Sequence, residues 1–303
     1  MSTEDDDTRA LLPAMAEARR RFTEVVGELR PELHRYCARM TGSVFDGEDI
    51  VQTAIEKAYY ALGQMTEPPQ LRPWLFSIAH NAAMDFLKRY ERRHVALVSE
   101  VPEPEALDTT GVDAALIEAA LSEFLRLPPL QRSALILKDV LGHPLVEVAA
   151  ALSISVGAVK GALSRARANL DARAAPMSGP RPSSAEEQAN LRRYAELFND
   201  RNWDGLRALL GEEAQLDLVT RLKQRVVAAK YYDRYAEILR NEDIRAESGF
   251  VDGVAAIAMY RPATSQTPSY FLLLEWGEGK VAKIRDYYYV PYVASGARFV
   301  ASV

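Results

Sequence analysis

The spacing of apolar residues changes late in this 303-residue chain, and the change confines it to a helical front and a mixed back. Between Phe22 and Leu170 the regular apolar positions recur three or four residues apart, as on helices with one buried side. From Ile244 they alternate. Segments 244–250 and 254–260 flank Asp252-Gly253, a pair suited to a type I′ turn, where both positions need positive φ. Segments 271–276 and 281–289 flank Gly277-Glu278-Gly279 in the same way. Ahead of these hairpins, 186–199, 203–210 and 228–239 read as helices and 215–220 as a short strand. Helices followed by a curled antiparallel sheet predict an α+β cone with a pocket at its mouth.

Two stretches break the pattern. Residues 96–112 are rich in proline and acids, and 174–185 in proline, serine and glycine, as linkers are. They divide a chain too long for one core into modules at 18–95, 113–173 and 186–295. Cys37 is the single cysteine, which excludes a disulfide framework and a multi-cysteine metal site. The opening MSTEDDDTRALL does not read as a secretory signal, and no apolar run reaches the roughly 18–20 residues of a membrane span. The expectation is a cytoplasmic protein without membrane insertion. A net charge of −5 speaks weakly against a general nucleic-acid binder, so the placement of the cations has to decide.

In the first module, Val51, Ile55, Ala58 and Leu62 form one helical stripe while Asp49, Gln52 and Glu56 share another face. Taken alone, such a face is simply solvated. On the next helix, 74–93, Leu75, Ile78, Ala79, Ala82, Phe86 and Tyr90 make the buried stripe. Asn81, Asp85, Lys88 and Arg92 line another side, with Arg89 and Arg93 adjoining. Cations in the last turns suit the helix dipole and phosphate contact equally well.

The second module carries helix-turn-helix logic. Val148, Ala149 and Leu152 precede the turn Ser153-Ile154-Ser155, with Ser155 placed to cap the next helix. There Val159, Leu163, Ala166 and Leu170 face inward, while Lys160, Ser164 and Arg167 face out, with Arg165 beside them. A recognition helix needs such donors on one face, although an αα-hairpin shows a similar pattern.

The run DGEDIVQTAIEKAYYAL, followed by PPQLRPWLFSIAHNAAMDFLKRYERR, resembles region 2 of sigma factors of the extracytoplasmic-function (ECF) type. Asp46, Glu48, Asp49, Val51, Gln52, Trp74, Leu75, Ile78, Ala79, Asn81, Asp85 and Arg89 carry the match; Thr53, Ala54, Ile55 and Lys88 depart from it. LPPLQR and the helix-turn-helix run resemble region 4 of the same family, through Arg132, Gly142, Glu147, Ser155, Gly157, Lys160, Arg165 and Arg167 among others. The resemblance implies two all-α sigma domains, a helical bundle and a helix-turn-helix. Asp46, Glu48, Asp49, Gln52 and Glu56 would dock on the β′ clamp helices of core RNA polymerase, with region 4 on the β flap. Trp74, Asn81, Asp85, Lys88, Arg89, Arg92 and Arg93 would engage the −10 element of promoter DNA, with loop 66–73 as a base pocket. Ser155, Gly157, Lys160, Ser164, Arg165 and Arg167 would read the −35 element.

The third module resembles SnoaL-like domains, which implies modulation of the sigma domains in cis through a small ligand or an intramolecular contact. No cofactor, metal site or catalytic residue is expected. Two rival readings stay open. One is an ordinary helix-turn-helix regulator; the other is a sigma module fused to an enzyme that would use Asp217, Asp286 or a tyrosine such as Tyr287. All four histidines (His34, His80, His94 and His143) lie outside that module. Tyr287, Tyr288, Tyr289 and Tyr292 suit a pocket wall, a cover for the sigma domains, or plain packing at a sheet edge.

Overall fold

The computed structural model describes residues 3–62, 64–65, 69–97, 124–171, 185–219, 224–227, 231–238 and 242–302. Both expected linkers lie outside this set except at their ends, as does residue 66–68 of the expected base pocket. The chain forms two compact units. One comprises Met1–Thr41, Gly47–Val101 and Phe124–Arg173; the other comprises Gly42–Asp46, Pro102–Glu123 and Ala174–Val303.

The first unit contains α1 (Thr3–Thr41), α2 (Val44–Leu62), α3 (Leu71–Leu97) and α4 (Pro129–Leu135). The last of these runs into a single π turn, Ile136–Val140, and is followed by α5 (Leu145–Leu152) and α6 (Val156–Asp171). Pro129 opens α4, where a missing N–H costs nothing. Gly47 allows α2 to cross α1 closely, since a Cβ there would stand 2.6 Å from the Ala38 backbone.

The two sigma-like modules are not separate in this unit. Leu33, Tyr36 and Met40 of α1 and Leu75, Phe76 and Ala79 of α3 share one buried cluster with Leu127, Leu135, Ile136 and Leu137. Each such large side chain stabilises the packed form by about 1.5–3 kcal/mol. Polar pins cross the same seam. Tyr36 Oη lies 2.9 Å from His80 Nδ1 and 3.0 Å from Ser133 Oγ, which is itself 3.0 Å from His80 Nδ1. The buried Arg132 guanidinium donates to the carbonyls of Met40, Leu125 and Leu127. Burial pushes the His80 pKa down to about 4 and the Tyr36 pKa up.

The second unit is α+β, as its element order predicts. It holds α7 (Ala185–Asn199), α8 (Trp203–Leu209), β1 (Leu210–Leu218), β2 (Gln224–Val227), α9 (Tyr231–Ile238), β3 (Arg245–Val251) and β4 (Val254–Tyr260). β5 (Tyr270–Gly277), β6 (Lys280–Asp286), α10 (Tyr292–Ser295) and β7 (Phe299–Ala301) complete it. One seven-stranded sheet has the order β2-β1-β6-β5-β4-β3-β7. Both expected tight turns are present: Asp252 and Gly253 have φ of 50° and 77°, and Glu278 and Gly279 have 51° and 74°.

Three expectations need correction. The sheet is not wholly antiparallel, because β1 runs parallel to β6. The third module does not end at 295, because β7 pairs with β3. Gly249 permits that pairing: a Cβ there would meet the Val300 carbonyl at 2.3 Å. Tyr90 is half exposed instead of buried, its ring stacked on Phe86.

Candidate nucleic-acid interface

The turn between α5 and α6 folds as its residues dictate. Ser153 takes the left-handed conformation at φ 54°, ending α5, and Ser155 Oγ accepts the Ala158 N–H at 3.1 Å to start α6. Val159, Leu163 and Ala166 are then buried, which turns the opposite side outward. Ser155, Gly157, Lys160, Ser164, Arg165 and Arg167 are all exposed there. The structure brings the six expected residues onto one helix and its cap.

Two neighbours of this face were not legible in the sequence. Lys138 joins Lys160 and Arg167 on the rim of an open groove of about 520 Å³, floored by Leu145 and Leu163. Asp139 accepts a fork from Arg167, with contacts of 2.9, 2.9 and 3.1 Å. Both residues sit in the π turn, whose five-residue hydrogen-bond ring aims side chains where a 3.6-residue period does not.

On α3, Asn81, Asp85, Lys88 and Arg89 are exposed along one side. Arg92 and Arg93 continue the helix, but their side chains lie outside the described residues. Asp85 is not an isolated carboxylate: Lys57 of α2 stands 3.8 Å away. Trp74 is half buried, packed against the core in the first turns of α3. That helix begins at Leu71, so 71–73 of the expected base pocket are helical.

The acidic face of α2 is divided. Asp46, Asp49 and Gln52 are partly exposed and Glu56 is exposed. Glu48 is 1% exposed and ion-paired with the buried Arg30, a correction to its expected place on the outer docking face. Arg30 also donates to Gln52 Oε1 at 2.8 Å, and Gln52 in turn lies 3.3 Å from Glu56. The pair therefore braces the acidic face from beneath.

In the second unit, Asp286 takes a 2.9 Å hydrogen bond from Tyr231, a 3.3 Å one from Tyr235 and a 2.8 Å one from the Tyr288 N–H. Burial raises the pKa of Tyr231 and of Tyr235, so both remain neutral donors. Asp217 stands opposite Arg285 in the β1–β6 register, one position before Leu218 opposite Asp286. Alternation sends the two carboxylates to opposite faces of the sheet, so they do not form an acid–base pair. Tyr287 is buried, Tyr288 and Tyr292 are half buried, and Tyr289 is exposed. Among the described residues no group of three or more acidic, His or Cys side chains could hold a metal, and no single helix is long and apolar enough to cross a membrane.

Family models for sigma-70 region 2 and sigma-70 region 4 match residues 25–93 and 117–170. The ECF RNA polymerase sigma factor SigG of Mycobacterium tuberculosis is 31% identical over 229 residues, 65% of this chain and 61% of that protein. The chain thus spans about three fifths of the length of that relative. The RNA polymerase sigma factor NccH of Alcaligenes xylosoxydans xylosoxydans is 34% identical over 137 residues, 42% of this chain and 72% of that one. The crystal structure of the M. tuberculosis ECF sigma factor SigJ aligns with 86% of this chain and 93% of its own, at 22% identity and a TM-score of 0.33. With both region models matched in order and NccH covered over most of its length, the chain belongs to the sigma-70 family, as an ECF-type sigma factor.

Proposed function

We propose that this chain directs core RNA polymerase to promoters and acts by binding, without chemistry of its own. It would work in the cytoplasm, where the polymerase is. The observation that carries this reading is the outward placement of Ser155, Gly157, Lys160, Ser164, Arg165 and Arg167 on one face of the helix-turn-helix. The exposed side of α3 supplies a second cationic surface in the region-2 half. Asp46, Asp49, Gln52 and Glu56 would meet the β′ clamp helices, and the region-4 half the β flap. A −10 and a −35 element lie about 85 Å apart at 3.4 Å per base pair. The shared core of the first unit would therefore open for both to be gripped at once. The third module would act on this step in cis.

Transcription in vitro with core polymerase tests the reading, comparing the full chain with a truncation near Ala175. A promoter-dependent transcript from either form supports it. No transcript from both, with retained binding to duplex DNA, would point to an ordinary helix-turn-helix regulator.

A further inference from the structure

The groove beside the π turn and α6 offers more than contact with a DNA backbone needs. Its cations come from two elements: Lys160 and Arg167 lie along α6 with Ser164 between them, and Lys138 belongs to the π turn. Leu145 and Leu163 make the floor apolar, and Ala168, next to Arg167, adds to that lining. Lys138 Nζ donates to the His143 carbonyl at 3.2 Å, which fixes an ammonium that carries three donors. Arg167 shows how an anion sits here. Its Nη2 reaches both Asp139 oxygens at 2.9 Å, in the planar fork that suits carboxylate and phosphate alike. The volume, about 520 Å³, falls within the roughly 300–1,000 Å³ of small-molecule sites and far exceeds what one phosphate fills. A duplex brings phosphates to such a rim, but its stacked bases present edges to a protein, not faces. An unstacked base joined to several phosphates presents both a flat apolar body and the charge.

We propose that this groove binds a free nucleoside triphosphate, with its phosphates on Lys138, Lys160 and Arg167 and its base over Leu145 and Leu163. The phosphates take Arg167 from Asp139. Lys160, Ser164 and Arg167 also belong to the proposed −35 surface, so bound nucleotide and duplex DNA exclude one another. Duplex binding by the full chain then falls as free nucleotide rises. This regulatory consequence rests on the sigma-factor reading, whereas the binding site itself does not.

Equilibrium binding of ATP and GTP to the full chain tests this, with adenosine, guanosine and inorganic triphosphate as probes of each half. The nucleotides are expected to bind at least about tenfold more tightly than either half, and to displace a fluorescent duplex. Ala168→Phe fills the groove from an exposed helical position outside the six expected DNA contacts. It should weaken nucleotide binding at least about tenfold and leave duplex binding within about twofold of the parent. Ala168→Ser adds little volume and should match the parent in both, while Lys138→Gln should weaken nucleotide binding about 3- to 10-fold. No binding at about 1 mM nucleotide, equal binding of inorganic triphosphate, or full binding by Ala168→Phe would each overturn the proposal. So would a nucleotide that binds without displacing the duplex. A chain that binds nucleotide but yields no promoter-dependent transcript sinks the sigma-factor reading and leaves the site standing; a transcript without nucleotide binding does the reverse.

Discussion

The Glu32 carboxylate on α1 lies 2.7 Å from Nε2 of His143, in the turn before the helix-turn-helix. Glu32 also pairs with Arg72 at the start of α3, and the His143 ring stands edge-on to Phe76 at 4.7 Å. One carboxylate thus ties three segments that are distant in sequence.

Removing that carboxylate leaves the buried His143 Nε2 with only the long 3.5 Å contact to Arg72, which itself loses its ion pair. Glu32→Ala is expected to destabilise the first unit by about 1–3 kcal/mol. Urea unfolding of the full chain measures it, and limited proteolysis near residue 125 should become faster at the same time. A midpoint equal to the parent's would show that the tie carries no net energy.

The buried imidazole of His80 gives the same seam a pH dependence. Its pKa falls to about 4 in the packed form from 6.5 in water. A lowered histidine pKa means that the open or unfolded state takes up the proton first. Stability is therefore complete above pH 6.5 and declines as pH falls from 6.5 towards 4, by up to about 1.4 kcal/mol per pH unit. Replacing His80 with Gln should flatten thermal stability across that window. Equal slopes for parent and variant would assign the loss to other groups.

Arg167 is forked to Asp139, a carboxylate that would compete with phosphate in the proposed DNA contact. Asp139→Asn removes the competing charge, and duplex DNA binding should tighten a few-fold, with a steeper dependence on salt. Arg167→Ala should weaken it and make the salt dependence shallower. Titrations at several salt concentrations distinguish the two, and identical slopes for all three proteins would remove Arg167 from the interface.

Glu48 and Glu56 belong to one sequence motif but not to one environment. Glu48→Gln leaves Arg30 charged and buried, so a loss of about 3–5 kcal/mol is expected. Glu56 is exposed, so Glu56→Gln should leave the melting temperature within about 1 °C. Its effect should appear only in co-sedimentation with core polymerase. A selective polymerase defect in a fully stable Glu48→Gln protein would contradict the inward placement.

Period and turn chemistry made the helices, the serine cap at Ser155 and both hairpin turns legible, because each is set by neighbours within a few residues. The exposed face of α6 was legible for the same reason, since burying Val159, Leu163 and Ala166 leaves only one side outward. Contacts across long separations were not. Nothing local to Glu48 reveals that Arg30 lies under it, and nothing near Arg167 marks Asp139, 28 positions earlier. The parallel β1–β6 pairing escaped too, because a strand's alternation is the same whichever way its neighbour runs. β7 is only three residues long, too short for a period to register.

If the two modules that share this core grip DNA as proposed, readiness becomes an equilibrium quantity. If closing is favoured by about 2.7 kcal/mol, roughly one molecule in a hundred is open at any moment, and the apparent affinity for any target that requires the open form falls a hundredfold. The cell would then set output by shifting that balance as much as by making more of the chain, and a small change at a seam residue such as Ser133 would register as a change in dose.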